Sequence, residues 1–168
     1  YLAAADPAAG AKLAKAQFDE ADNMTDRQGA LAVLASLDSA EREQALAAFY
    51  DRYEDEPLAI DKWFAVQAMA QRPGTIDSVE ALLEHPRFTP SNPNRLRSVG
   101  VTFGMNQWVF HDPSGRGYRL LAGLILDADR LNPQVAARLV PPLGRWRRFG
   151  QERAALMRAE LERIVSAP

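Results

Sequence analysis

The sequence predicts an all-α fold of antiparallel helix pairs, arranged either as an irregular bundle or as a curved superhelical, armadillo- or HEAT-like stack. Three observations carry this. Apolar residues recur at i, i+3, i+4 and i+7 in almost every segment, the signature of one helix face. The breaks between periodic segments are short, and short helix–helix connections favour antiparallel neighbours. No alternating run is long enough to insist on a strand, since 101–103 and 108–110 span only three residues each. About nine helices of roughly 10–16 residues are expected in one domain spanning 1–168. No strict repeat of about 34–47 residues is legible, which disfavours TPR or ankyrin repeats.

The elements follow in order. "GAKLAKAQFDEAD" is an Ala-rich first helix. "NMTDRQGALAVLASL" starts at Asn23 or Thr25, and Thr25 with Gln28 fits a capping box. "DSAEREQALAAFYDRY" has Asp38 and Glu41 as a cap pair and Leu46, Phe49, Tyr50 and Tyr53 on one face. "EPLAIDKWFAVQAMAQ" opens with Pro57 at the first helical position. Its Ile60, Trp63, Phe64, Val66 and Met69 cover most of the circumference, which marks a central helix. "TIDSVEALLEH" is capped by Thr75 and stopped by Pro86. A first Asn-Pro helix carries Leu96, Val99 and Phe103, and "VFHDPSGRGY" is loop. "YRLLAGLILDADRL" places Leu121, Leu124, Ile125 and Ala128 on one face. A second Asn-Pro helix runs from about Pro133 to Leu143, and the last helix turns Met157, Leu161 and Ile164 inward.

Composition narrows the function classes. The chain has 168 residues, 47% apolar and 25% charged, which is globular composition. No run approaches the roughly 18–20 apolar residues of a membrane span. A net charge of −2 gives no general call for nucleic acid or an anionic membrane. Among the 20 basic residues only Lys12, Lys15 and Lys62 are not Arg. There is no Cys, hence no disulfide and no thiolate metal site. The start at Tyr1, without a basic region or a long apolar stretch, is a poor signal peptide and reads as a cut inside a longer chain.

Few residues point to chemistry. A zinc hydrolase site needs paired His at helical spacing. Only His85 and His111 exist, far apart and both at element ends, so neither a metal site nor a catalytic residue is expected in this chain. No Gly-x-Ser-x-Gly elbow is present. "DPSGRGY" lacks the Lys-Ser/Thr ending of a phosphate loop and reads as a connection leading into a helix. "RWRRF" mixes basic and aromatic residues as nucleic-acid surfaces do. On a net-acidic chain it reads as a helix C-terminus whose Arg145, Arg147 and Arg148 complement the dipole. Asp127 with Asp129, and the run Glu54, Asp55, Glu56, read as solvated faces.

The two Asn-Pro helix starts pose a question. Asn92 and Asn132 are good N-caps, and Pro93 and Pro133 pre-set the first turn. Arginine follows inside the first two turns of each, at the positive end of the dipole, where it gains nothing locally. Arg97 and Arg138 either bridge to acids on neighbouring helices or line a groove for something anionic or rich in carbonyls.

Seven ordered segments carry a family resemblance: "ADNMTDR" (21–27), "EREQALAAFYDRY" (41–53), "DKWFAVQA" (61–68), "VEALLEHPRF" (79–88), "NPNRLRS" (92–98), "NPQVAARL" (132–139) and "RAELERI" (158–164). In this order and near this spacing they resemble bacterial aminopeptidase N, of the zinc-dependent gluzincin aminopeptidases, from about Ala16 to Val165. The resemblance implies the C-terminal part of a larger multi-domain enzyme, a cytoplasmic exopeptidase that removes N-terminal residues from peptides. It also implies that the zinc, its His-Glu-x-x-His helix and the amine-gripping Gly-Ala-Met-Glu-Asn motif lie elsewhere in the parent, and that this chain binds no metal itself. The family's helical domain closes an internal chamber over the catalytic domain. Residues matching Arg97 and Arg138 face its substrate channel, so the implied partners are peptides and the remaining domains of the same polypeptide, not nucleic acid or membrane. Gly100, Gly104, Trp108, Pro113 and Arg116 depart from the family pattern near that channel. Two other readings stay open from the residues alone: a helical-repeat module that binds a peptide or protein, and a purely structural module.

Overall fold

A computed structural model describes residues 1–167, and among them there is no strand. The helices are α1 (Leu2–Ala5), α2 (Pro7–Glu20), α3 (Met24–Ala35), α4 (Ala40–Tyr53), α5 (Pro57–Ala68), α6 (Thr75–Leu83), α7 (Pro93–Leu96), α8 (Thr102–Met105), α9 (Arg116–Asp129), α10 (Pro133–Ala137), α11 (Pro141–Gly144) and α12 (Gln151–Ser166). A π-helical turn, Arg97–Val101, joins α7 to α8 into one rod, and a 3-10 turn, Trp146–Arg148, precedes α12. Consecutive helices pack on one another from α2 through α6, and α9 packs on α10 and α12. The all-helical expectation holds, but several elements are only four or five residues long, shorter than the periodicity suggested.

Helix ends show why the chain divides here. Asn23, not Thr25, caps α3, accepting from the Asp26 amide at 2.9 Å. Ser39 caps α4 in place of the expected Asp38–Glu41 pair, and Asp38 instead pairs with Arg72 at 2.6 Å. Gly74 stands at the N-cap of α6, while the Thr75 hydroxyl donates to the Ala70 carbonyl at 3.0 Å. Asn92 and Asn132 cap as expected, each accepting from two backbone amides. The second Asn-Pro helix is not continuous to Leu143. Pro141 and Pro142 lack amide hydrogens and crowd the preceding turn, so α10 stops at Ala137 and α11 restarts at Pro141.

The core is one continuous apolar cluster with α5 at its centre. Ile60, Trp63, Phe64 and Val66 are buried, and burial of such side chains stabilises by about 1.5–3 kcal/mol each. Buried polar groups tie helix ends together. Arg27 donates to the Phe18 and Ala21 carbonyls at the C-terminus of α2 and to the Tyr53 hydroxyl. Asn106 donates to the Ala68 and Ala70 carbonyls at the end of α5, at 3.1 and 2.8 Å.

Arg95, in the first turn of the rod, is buried against α5. Its Nε donates to Asp61 at 2.6 Å, another nitrogen donates to the Arg87 carbonyl, and the guanidinium lies 4.8 Å from the Phe64 ring centroid. This pair locks the rod onto the central helix. Removing one member of a buried pair costs about 3–5 kcal/mol, because the other charge stays desolvated and uncompensated. Asp61 is half-buried and borders a cleft, so Asp61→Ala is expected to lower the unfolding free energy by a part of that amount, at least about 1 kcal/mol in urea titration, and Arg97→Ala, at an exposed position two residues from Arg95, by less than about 0.5 kcal/mol. Equal effects of the two substitutions would contradict the assignment.

Candidate functional site

Two clefts flank the rod and share Val101 as a common wall. The larger, about 440 Å³, lies between the rod and the stretch from α10 to Phe149, and Arg138, Arg145 and Arg148 are among its lining residues. Met105, Pro142 and Phe149 add apolar lining. The smaller, about 360 Å³, holds Arg97 with Leu58, Asp61 and Asn94. Arg97 and Arg138 thus stand in neighbouring clefts rather than in one.

Glycine makes the approach possible. A Cβ on Gly100 would lie 2.6 Å from Leu124 Cδ2, and one on Gly104 would lie 2.7 Å from Pro142 Cγ. Four residues apart, the two share a helix face. Their lack of side chains lets the rod settle against α9 and α11, and Gly104 lines the larger cleft. The departures at Gly100 and Gly104 therefore have a packing cause.

The break at Pro141 and Pro142 places the cations. Arg138 is the C-cap of α10, with φ −73° and ψ −16°, and Arg145 is the C-cap of α11. Arg138 is thus at the negative end of a five-residue helix, not one turn into a long one, and the expected conflict with the dipole does not arise. The dipole reading of "RWRRF" carries little, because α11 has only four residues. Arg147 lies 4.4 Å from the Trp146 ring centroid, outside the cleft lining. Arg148 turns toward the cleft instead. Sequence reasoning missed Arg145 and Arg148 as site residues; the signal was their spacing from Arg138 across a Pro-Pro break.

Arg97, Arg138, Arg145 and Arg148 are exposed. Among the described residues none of the four side chains has an acid within 4.0 Å, whereas Arg42, Arg72, Arg95 and Arg116 all do. The larger cleft has no acidic lining residue. Opposing this, the glycine loop ahead of α9 presents no anion site. Gly115, at φ +68°, opens the helix, and Arg116 is held by Asp77 and Glu80 at 2.6 and 2.5 Å.

Both histidines are structural. His85 packs among the Tyr50, Trp63 and Phe64 rings, and its Nδ1 accepts from the Arg87 amide at 3.1 Å. His111 borders the larger cleft, with Nδ1 2.9 Å from the Tyr118 hydroxyl and its ring 4.1 Å from that of Phe149. Burial lowers both imidazole pKa values, with Arg95 and Arg87 adding to the shift at His85 and Arg153 at His111. Among the described residues no three His, Asp or Glu side chains are grouped to hold a metal ion, so the zinc of the resembling family does not fit here. Among the described residues no helix is long and apolar enough to cross a membrane.

The whole of residues 1–168 matches a family model described as "Domain of unknown function (DUF3458_C) ARM repeats". Over 152 residues the chain is 51% identical to aminopeptidase N of Caulobacter vibrioides, covering 90% of this chain and 18% of that protein. It is 39% identical over 153 residues to aminopeptidase N of Escherichia coli, again covering 90% of this chain and 18% of the relative. The crystal structure of Legionella pneumophila aminopeptidase A in complex with aspartic acid superposes with a TM-score of 0.92 at 34% identity, over 99% of this chain and 20% of that one. The chain thus spans about a fifth of the length of these relatives.

The histidine environments set a pH dependence. Each imidazole has a folded pKa below its ordinary value, so the unfolded chain binds more protons than the folded one as pH falls through about 6.5. Stability is therefore expected to fall between pH 7.5 and pH 5.5 in urea titration, and the fall to shrink in the double variant His85→Gln, His111→Gln. A stability that rises on acidification, or a difference untouched by the double variant, would contradict this.

Proposed function

This chain belongs to the DUF3458_C family of ARM-repeat domains, and from that premise we propose that it is the C-terminal helical domain of a zinc aminopeptidase that removes N-terminal residues from peptides in the cytoplasm. In this reading residues 1–168 form one domain that closes the catalytic chamber and lines the path by which peptides reach it. The metal and its ligands belong to other parts of the same polypeptide, and the metal would supply Lewis-acid chemistry there. This chain's own residues bind and orient the peptide beyond the scissile bond. They move no proton and form no covalent intermediate.

The observation that carries the reading is the placement of Arg97 and Arg138. The two line clefts that meet at Val101, and neither guanidinium pairs with an acid among the described residues. Charged groups left without partners are available to oxygen atoms of a ligand. A peptide crossing Val101 meets one guanidinium on each side.

In the whole polypeptide, Arg97→Ala or Arg138→Ala is expected to raise KM for peptides of three or more residues about ten- to a hundredfold, the equivalent of roughly 1.5–3 kcal/mol for a charge-assisted hydrogen bond. Turnover of single-residue arylamides should change little, because they do not extend past the scissile bond. Equal losses on short and long substrates would sink the reading. The 168-residue chain alone should hydrolyse no arylamide with or without added zinc, since catalytic zinc takes about three protein ligands.

A further inference from the structure

His111 ties its loop to three other elements. Its carbonyl accepts from Arg153 Nε of α12 at 2.8 Å. Its Nδ1 lies 2.9 Å from the Tyr118 hydroxyl of α9. Its ring centroid is 4.1 Å from that of Phe149, with the two planes at 30°, close to a parallel stack. Phe149 closes the turn that carries Arg145 and Arg148, and His111 lines the same cleft as all three. We propose that His111 is a pH-sensitive latch on the Arg145–Phe149 turn: the neutral imidazole holds Phe149 in place, and the protonated one releases it, which moves Arg145 and Arg148 and changes the cleft they line.

The hydrogen bonds set the direction of the switch. Tyr118 has no exposed surface and burial raises its pKa, so the phenol keeps its hydrogen and donates it to Nδ1. The neutral ring then carries its own hydrogen on Nε2. A proton added at Nδ1 turns that acceptor into a donor. The phenol oxygen accepts from it, but the phenol hydrogen is left buried without a partner, which opposes protonation. Surrounding charge acts in the same sense. Burial lowers the His111 pKa and Arg153, facing it from α12, lowers it further. Arg138, Arg145 and Arg148 stand in the cleft that the ring lines. The nearby acids are engaged or turned elsewhere: Asp112 accepts from the Ser114 amide at 2.9 Å, and Glu152 lines a separate depression with Pro113. On α9, Arg116 is held by Asp77 and Glu80, and Arg119 donates to the Ser114 carbonyl. The imidazole is half-buried at the cleft, so once acid charges it, turning toward the cleft's solvent hydrates the ion. That turn breaks the phenol bond and the stack on Phe149 together. The latch rests on this packing and not on the aminopeptidase reading above.

The test is an NMR titration of the 168-residue chain between about pH 8 and about pH 5, with labelled histidine and aromatic residues. At the alkaline end the His111 nitrogens should show the Nε2–H form, and Overhauser contacts should join its ring to that of Phe149. His111 is expected to titrate below about 6.5. Along that curve the contacts to Phe149 should vanish and the Phe149 ring and Trp146 indole signals should move, while the amide signals of α2 to α5 stay in place. His111→Gln should abolish these shifts, and His85→Gln should leave them intact. Tyr118→Phe removes the stranded hydrogen and should raise the His111 midpoint toward about 6.5. The titration of the unsubstituted chain decides the matter even if a variant fails to fold. Contacts to Phe149 that persist through the His111 titration, as a charged ring held on an aromatic face gives, would overturn the proposal. So would an Nδ1–H form at the alkaline end, shifts that survive His111→Gln, a midpoint lowered by Tyr118→Phe, or a change spread through α2 to α5, which is global unfolding.

Discussion

The Arg95–Asp61 pair is the constraint on which the rest of the site depends. A guanidinium in the first turn of a helix opposes the dipole and, when buried, carries a desolvation cost of several kcal/mol. Asp61 on α5 offsets the charge, the Arg87 carbonyl takes a second donor, and the Phe64 ring covers the face. With Arg95 fixed inward, the orientation of the rod about its own axis is set. Arg97, two positions on at the start of the π turn, is left exposed in the cleft that Asp61 also borders. One arginine of "NPNRLR" is a structural anchor, and the other is free at the surface because the first is not.

The second constraint is close approach. Gly100 and Gly104 remove the side chains that would hold the rod away from Leu124, Leu139 and Pro142. Pro141 and Pro142 then interrupt the opposite wall, so that Arg138, Arg145 and Arg148 arise from short turns and not from one long helix. Short turns change direction every few residues, which lets cations close in sequence border a single cavity. Exposed charges of one sign repel one another weakly in water, and salt screens them over about 8 Å at physiological ionic strength. Among the described residues no acid of the chain lines the cleft to relieve that repulsion.

Much of this was legible in the sequence. The periodicity of "DKWFAVQAMAQ" marked the central helix, and the Asn-Pro pairs marked two true helix starts whose side chains cap as expected. The family was legible from seven ordered segments. What escaped was set by tertiary partners. Whether Arg95 or Arg97 would be buried depends on Asp61, which lies 34 positions earlier. Ser39 displaced Asp38 as a cap because Asp38 is drawn to Arg72 on another loop. The apolar period through Leu139 and Leu143 masked the Pro141–Pro142 break, so the expected helix ran on to Leu143 and the placement of Arg145 and Arg148 was hidden with it. The π turn at Arg97–Val101 left no mark that periodicity could resolve, because Leu96, Val99 and Phe103 stay buried across it.

The central claim is that arginines on both sides of Val101 face a bound peptide. A crystal structure of the whole polypeptide with a non-hydrolysed peptide tests it most directly. The account predicts a chain passing over Val101, with the guanidinium groups of Arg97 and Arg138 each about 2.7–3.2 Å from peptide oxygen atoms. It is contradicted if acids of a neighbouring domain occupy both guanidinium groups, or if the peptide lies on another face of the helical domain.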